Sequence, residues 1–392
     1  MADAAAIERE AEANEREADR AAARGDVGAA ELLLARVVAA DAGRIDPWLK
    51  LAAMRRALGN IAGALAAISE ALKIDPLHFM ALMSRGRLLE ADAPEEAARY
   101  YLRALAQLPE GEPVPAGLKS QVDHATRVGN TYRDKVAAKW RTVADATPGL
   151  TETQRRRAAR FTSNALHRTR VYHSEPTHYH YPGLVEREFH DRETFLWLAA
   201  LEAQTDAIRD EYLALQHREG ARAEPYIQYS ADLPVRQWAA LNHSLDWTAF
   251  HLLQGGRRVG VNAERCPRTI AALAAIDQPR IAGRSPNAMF SLLQPRTRIP
   301  PHTGVANTRL VCHLPLIIPE QCWFRVGEER REWRVGEAFV FDDTIEHEAA
   351  NDSDAPRVVL IVDLWHPGLG ADERAVVTRL MEADDSGEGT PL

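Results

Sequence analysis

Self-similarity at a period of about 34 residues in the first third of this 392-residue chain constrains its fold more than any other feature. Trp48, Leu51, Ala64, Ile68, Ala71 and Pro76 set a pattern: a large residue opens one helix, and a small, bulky, small series followed by Pro marks the next. Ala97, Tyr101, Ala104 and Pro109 each repeat it 33 positions later. Gly86 follows Ala52 by 34 positions, so the missing residue belongs to the turn around Asp92, Ala93 and Pro94. An earlier and weaker copy sets Gly25, Asp26 and Ala30 34 positions before Gly59, Asn60 and Ala64. Paired helices approach closely only where a small residue faces a large one, and stacked pairs bury a stripe that a single pair leaves bare. Roughly three helical hairpins over residues 1–112 are therefore expected.

This spacing resembles that of tetratricopeptide arrays, which implies a surface for peptide segments or self-association and no chemistry of its own. Gly111 to Pro115 closes the array, and residues 113–174, with helical stretches around 117–145 and 151–167, read as a helical connector. The net charge of −8 lacks the basic surface that phosphate binding needs, so no nucleic-acid partner is expected. Cys266, Cys312 and Cys322 are odd in number and irregularly spaced, which fits a reducing compartment and no disulfide framework. The opening MADAAAIEREAEANERE alternates charge and alanine where a signal peptide needs an apolar core, and no run nears membrane-spanning length. The expectation is a cytoplasmic protein with no membrane association.

From about Tyr181 the period changes. Arg187–Gln216 still reads as helical, and short alternating segments follow Pro225. Arg309–Ile318, Trp323–Val326, Arg334–Phe341 and Arg357–Leu364 are strand-like, each bounded by Pro, Gly, Asn or Asp. Several short strands with polar turns predict a double-layer β architecture of jelly-roll type, with ligands at its mouth. Pro315 removes a ladder donor, so its strand is expected to lie at an edge or to be bulged there. The whole is a multidomain α + β chain, with a jelly-roll domain over 175–370 and a C-terminal helix and tail over 371–392.

Two histidines bear on chemistry: His302 in Pro-Pro-His302-Thr303-Gly304, and His347 at the end of Phe341-Asp342-Asp343-Thr344-Ile345-Glu346-His347. A non-haem iron(II) site needs a few imidazole or carboxylate ligands on one side of the metal and open positions on the other. An early strand commonly offers His-x-Asp/Glu and a late strand a distant His, but here position 304 is Gly. Two options stand. Either water takes the third place, or a carboxylate such as Asp343 substitutes for the missing ligand or holds that water from behind. A cluster formed by His173, His178 and His180 sits in a Pro- and Tyr-rich stretch and reads as a solvated loop.

The runs PHTGVANTRLVCHLPLIIP, WRVGEAFVFDDTIEHEAANDSD and RVVLIVDLWHP, with LNHSLDW, NAERCPRT and MFSLLQPRTRIPPHTG upstream, resemble the core of the aspartyl/asparaginyl β-hydroxylase family over roughly residues 175–370. The resemblance implies a double-stranded β-helix and iron(II) held by His302 and His347, with Gly304 as expected there. It also implies 2-oxoglutarate bound by Ser291, His313 and Arg357; a fixed guanidinium makes a two-pronged pair with a carboxylate. Relatives carry Arg where this chain has Val311; Arg309 shares that strand face and is a candidate to compensate. Asp343 joins the two histidines among the catalytic candidates. The implied reaction is hydroxylation at the β-carbon of Asp or Asn in a peptide or protein, recruited by the tetratricopeptide-like array. The alternatives are a non-peptide acceptor (lipid acyl chain, free amino acid or natural product), or a tetratricopeptide adaptor with an inactive barrel.

Overall fold

Gly25 and Gly59 both take positive φ, 81° and 77°, a conformation that glycine alone adopts without strain. The next residue in each copy, Asp26 or Asn60, then caps a helix by accepting a hydrogen bond from the amide of Ala29 or Gly63. In the third copy Ala93 stands at the cap without a side-chain bond and Pro94 opens the helix, which places the one-residue deficit in that turn. The computed structural model describes residues 2–384 except 110, 218, 220, 222 and 231–235; of residues 2–8 and 236 it describes the backbone alone. The tail expected beyond residue 384 lies outside the described residues.

Contacts divide the chain into two units, residues 1–168 and 169–392. In the first, α1 (Ala2–Ala23) pairs with α2 (Val27–Ala40), α3 (Ile45–Ala57) with α4 (Ile61–Ile74), and α5 (Phe79–Leu89) with α6 (Pro94–Leu105). Each pair stacks on the next, and α7 (Ala116–Ala146) then packs on α6 and α8 (Glu152–Ala165) on α7. The helices expected around 117–145 and 151–167 thus form within the first unit.

The small-against-large rule is visible at Gly86, where an added Cβ would meet the Tyr101 ring at 2.7 Å. That ring cannot retreat, because its hydroxyl donates to Glu90, which His124 of α7 also contacts. Gly86→Val should therefore lower the stability of the helical unit by about 1–3 kcal/mol through overpacking, outweighing the modest gain in helix propensity. Urea unfolding followed by far-ultraviolet dichroism checks this; unchanged stability would remove Tyr101 as the reason for glycine there.

The second unit contains two antiparallel sheets. The larger has seven strands: β1 (Glu224–Pro225), β2 (Trp247–Gln254), β3 (Arg257–Arg258), β4 (Ala288–Leu293), β6 (Arg309–Ile317), β9 (Phe339–Phe341) and β11 (Arg357–Trp365), ordered β1-β2-β4-β11-β6-β9 with β3 on β2. The smaller is β5 (Thr297–His302), β7 (Cys322–Val326), β8 (Glu329–Glu332) and β10 (His347–Asn351), ordered β5-β10-β7-β8. Strands buried on both faces still sort their side chains by the period of two. Phe290 and Leu292 of β4, Leu310, Cys312 and Leu314 of β6, and Val358, Leu360 and Val362 of β11 pack on helices α9 (Leu198–Glu202), α10 (Thr205–Leu215) and α12 (Pro267–Leu273), beyond which the short α11 (Gly260–Arg265) adjoins β2. The intervening positions, Ser291 and Leu293, Arg309, Val311 and His313, Arg357 and Val359, face the other way, toward a second core shared with the smaller sheet.

Two expectations are corrected. Helix over Arg187–Gln216 is confined to a 3₁₀ turn at Arg192–Thr194 and to α9 and α10, because the stretch up to Asp191 instead bridges Phe189 to Phe341 and gives the His190 amide to the Val340 carbonyl. Strand over Arg334–Phe341 begins only at Phe339, since Gly336 takes φ 80° and turns the chain. Of the two outcomes expected at Pro315 the structure has the bulge: β6 lies between two partners, and the ladder absorbs the proline by a register shift between Val358 and Val359. A last helix, α13 (Ala371–Glu382), packs Val377 and Met381 against Trp365.

Candidate functional site

His302 ends β5 and His347 begins β10, and the two are directly opposite in the antiparallel register. Their ring centroids are 4.0 Å apart. Between them and Ile299↔Ala349 the register slips by one residue, so β5 is bulged at Pro300 and Pro301, neither of which has an amide to give to the ladder. The bulge turns His302 inward, where its Nδ1 lies 2.8 Å from the Pro300 carbonyl; Nδ1 of His347 lies 3.1 Å from the carbonyl of Ile345. A carbonyl only accepts, so each Nδ1 carries the proton and each Nε2 keeps its lone pair. Burial pushes His302 down to about 3, with His347 beside it adding to the effect, and burial pushes His347 down to about 4. Both rings are neutral at pH 7.

Gly304 follows by two residues, and a side chain there would overlap the Asp343 carboxylate. The Gly304 amide donates to the Asp343 carbonyl at 2.7 Å, which brings the two backbones together. Asp343 Oδ2 accepts from Arg309 Nη2 at 2.9 Å, while Oδ1 is buried with no partner among the described residues. Burial opposes the charge on Arg309, but Asp343, with Asp363 and Tyr226 farther off, more than offsets it and holds the guanidinium above its usual range. Next along the chain, burial pushes Asp342 up to about 7; it accepts from the amide and hydroxyl of Thr344 and shapes the turn into β10.

Arg357 is the other buried cation. Its side chain is 2% exposed, with Nη1 at 3.3 Å from the Ser291 carbonyl and 3.4 Å from Ser291 Oγ. Among the described residues no carboxylate pairs with it, and burial pushes it down to about 10. His313, across the strand ladder from Ile361 of β11, is buried with Nδ1 unpartnered, and burial followed by the nearby Arg357 charge holds it well below the usual imidazole range. Ser291 Oγ accepts from the Trp247 indole at 3.0 Å.

All the sequence-predicted candidates thus face one inter-sheet space, though Arg309 is occupied by Asp343. The cluster of His173, His178 and His180 is exposed, with His173 on Glu186 and His178 on Thr177. The three cysteines are free and buried. Among the described residues no three or more His, Cys, Asp and Glu side chains converge as a metal cluster, so the protein offers this point two imidazoles. Sequence reasoning missed the rings at the site: Trp238 edge-on to His302 at 4.8 Å, Tyr226 stacked on Trp247 at 3.8 Å, and Trp333 near Arg357. Trp247 and Trp333 lie in or beside the motif runs and had no chemical signal beyond their size.

A family model described as aspartyl/asparaginyl β-hydroxylase matches residues 202–367, a span that holds every side chain of this site. Over this span the chain is similar to that family. The human aspartyl/asparaginyl β-hydroxylase is 34% identical over 177 residues, covering 45% of this chain and 22% of that protein. The ornithine lipid ester-linked acyl 2-hydroxylase of Rhizobium tropici is 34% identical over 190 residues, covering 48% of this chain and 63% of that protein. The matched part of the chain therefore spans about a fifth of the human relative's length and less than two thirds of the bacterial one's. The helical unit is similar to the tetratricopeptide domain of Arabidopsis OM64, at 18% identity and a TM-score of 0.28, covering 33% of this chain and 99% of that one. No helix of the described residues is long and apolar enough to cross a membrane.

Proposed function

We propose that the β-hydroxylase domain is an iron(II)- and 2-oxoglutarate-dependent dioxygenase that hydroxylates the β-carbon of Asp or Asn residues in a peptide or protein. One arrangement carries this reading: two neutral imidazoles with ring centroids 4.0 Å apart and, on the same inter-sheet space, a buried guanidinium with no carboxylate partner among the described residues. Two free Nε2 lone pairs and an orphaned carboxylate oxygen suit a dication, and a buried cation without a counter-ion suits the far end of a diacid. When bound, iron(II) and 2-oxoglutarate supply the oxidising power: oxygen and the oxo acid are consumed, succinate and carbon dioxide leave, and a C–H bond becomes C–OH.

The protein's part is to hold and orient. His302 and His347 would hold the metal, with Nε2 the free nitrogen of each ring, since each Nδ1–H is committed to a carbonyl of its own segment. Asp343 fills the space that Gly304 leaves; Arg309 fixes one oxygen, and the other, without a partner among the described residues, would be free to accept a hydrogen bond from a water. Ser291, His313 and Arg357 form the diacid cradle, and Val311 leaves Arg309 the nearest cation on that strand, already engaged. Strands β4 to β11 pass between the sheets in the order of a double-stranded β-helix, β4-β11-β6-β9 over β5-β10-β7-β8, and we read the domain as that jelly roll. The helical unit is read as the element that recruits the peptide or protein, in a cytoplasmic setting that suits three unpaired thiols.

Installing the missing carboxylate should fail. Gly304→Asp forces Asp343 from its pairing with Arg309, at an overpacking cost of about 1–3 kcal/mol, and turnover should fall about tenfold or more, the range for losing a residue that orients a metal site. Adding Asp343→Gly relieves the overlap and should recover metal affinity; a single Gly304→Asp variant with full activity would remove Asp343 from the account.

The reading is tested by adding iron(II) and 2-oxoglutarate anaerobically and looking for the weak visible charge-transfer absorption of the chelate, then by mass spectrometry of Asp- and Asn-containing peptides after oxygen is admitted. A gain of one oxygen on those residues supports it. A second acceptor class is favoured by one observation, the acyl hydroxylase relative that matches nearly half of this chain. Oxygen gained only on an acyl chain would replace the peptide reading, and absence of the chelate band with folded protein would favour an adaptor with an inactive barrel.

A further inference from the structure

Trp333 follows β8 and is 4% exposed, yet its indole Nε1 is buried with no acceptor among the described residues. A residue that merely filled the core would be better as Phe, which buries the same kind of face without stranding a donor. The ring has another use. The Arg357 guanidinium carbon lies 4.8 Å from its centroid, and the ring stacks within 27° of both Phe324, at 5.4 Å, and His313, at 6.2 Å. Arg357 is the buried cation without a carboxylate among the described residues, and the face of an indole is the strongest neutral partner a side chain can offer such a charge. Arg309, by contrast, pairs with Asp343.

We propose that Trp333 is a positioning residue for the diacid cradle: its ring face holds the Arg357 guanidinium in place and supplies the standing electrostatic partner that a carboxylate ligand then supplements. The burial of Arg357 agrees with this, since a charge so enclosed would otherwise be drawn toward solvent or lose its fixed plane. Phe324 and His313 keep the indole parallel to themselves, so β7 and β6 set the plane against which Arg357 of β11 rests. The inference rests on the co-substrate reading above.

The test compares two chelators on the iron(II)-loaded full chain by anaerobic calorimetry: 2-oxoglutarate, which has a far carboxylate, and oxalate, which binds a metal but has none. Trp333→Leu removes the π-face and should weaken 2-oxoglutarate about tenfold while leaving oxalate within about twofold, and Trp333→Phe, a weaker face, should weaken 2-oxoglutarate only about threefold. Phe keeps the aromatic cluster and serves alone if the Leu variant does not fold. Equal losses for both chelators, unchanged 2-oxoglutarate affinity in either variant, or a Phe variant as weak as the Leu variant would overturn the proposal. Parent protein that binds oxalate but not 2-oxoglutarate would instead sink the co-substrate reading itself.

Discussion

His302→Ala and His347→Ala should each abolish succinate release while leaving the fold intact. Where the protein contributes two imidazoles, either variant leaves one, and the loss must exceed the roughly 10–100-fold drop that follows removal of residues merely orienting a ligand. Neither ring is a structural keystone: each gives Nδ1–H to a carbonyl of its own segment, and the strand ladder between β5 and β10 does not depend on them. The check is succinate formation per metal-loaded chain, with near-ultraviolet dichroism to confirm packing. Succinate release within tenfold of the parent in either variant would refute their assignment as ligands.

Arg357→Met should separate stability from binding. Losing one member of a desolvated charge pair costs about 2–5 kcal/mol, which is a 2-oxoglutarate affinity lower by about 30- to 5000-fold. The unliganded variant should unfold at the same temperature as the parent or higher, because it no longer buries a cation without a carboxylate, and Met fills a similar volume beside Trp333. Most core substitutions move both quantities the same way. A lower melting temperature with undiminished 2-oxoglutarate affinity would make Arg357 a structural residue and leave the diacid without its anchor.

The parts of this protein that were legible in its sequence are those that depend on residues near one another along the chain. The 34-residue period could be read because each turn needs a glycine at positive φ followed by a capping side chain, a local requirement that repeats at Gly25-Asp26 and Gly59-Asn60. The strands carrying Arg309, His313 and Arg357 could be read from alternation, which also put Arg309 and His313 on one face. The errors were local as well: helix up to Asp191 and strand before Phe339 had suitable composition, but pairing with β9 and a turn at Gly336 took precedence.

Other features arose only when distant strands met. Sequence alone left open whether water or Asp343 stands in for the carboxylate absent at position 304. The fold sets Asp343 into the space beside Gly304, because the Gly304 amide, just after β5, bonds the Asp343 carbonyl in the turn between β9 and β10. It engages Arg309 there, whereas Arg357 is left with Trp333 and Ser291. Local pattern determines which residues share a strand face, since that follows from backbone period alone. Which cation meets a carboxylate and which meets an aromatic ring depends on register, bulges and sheet stacking, and these are settled by packing across the whole domain.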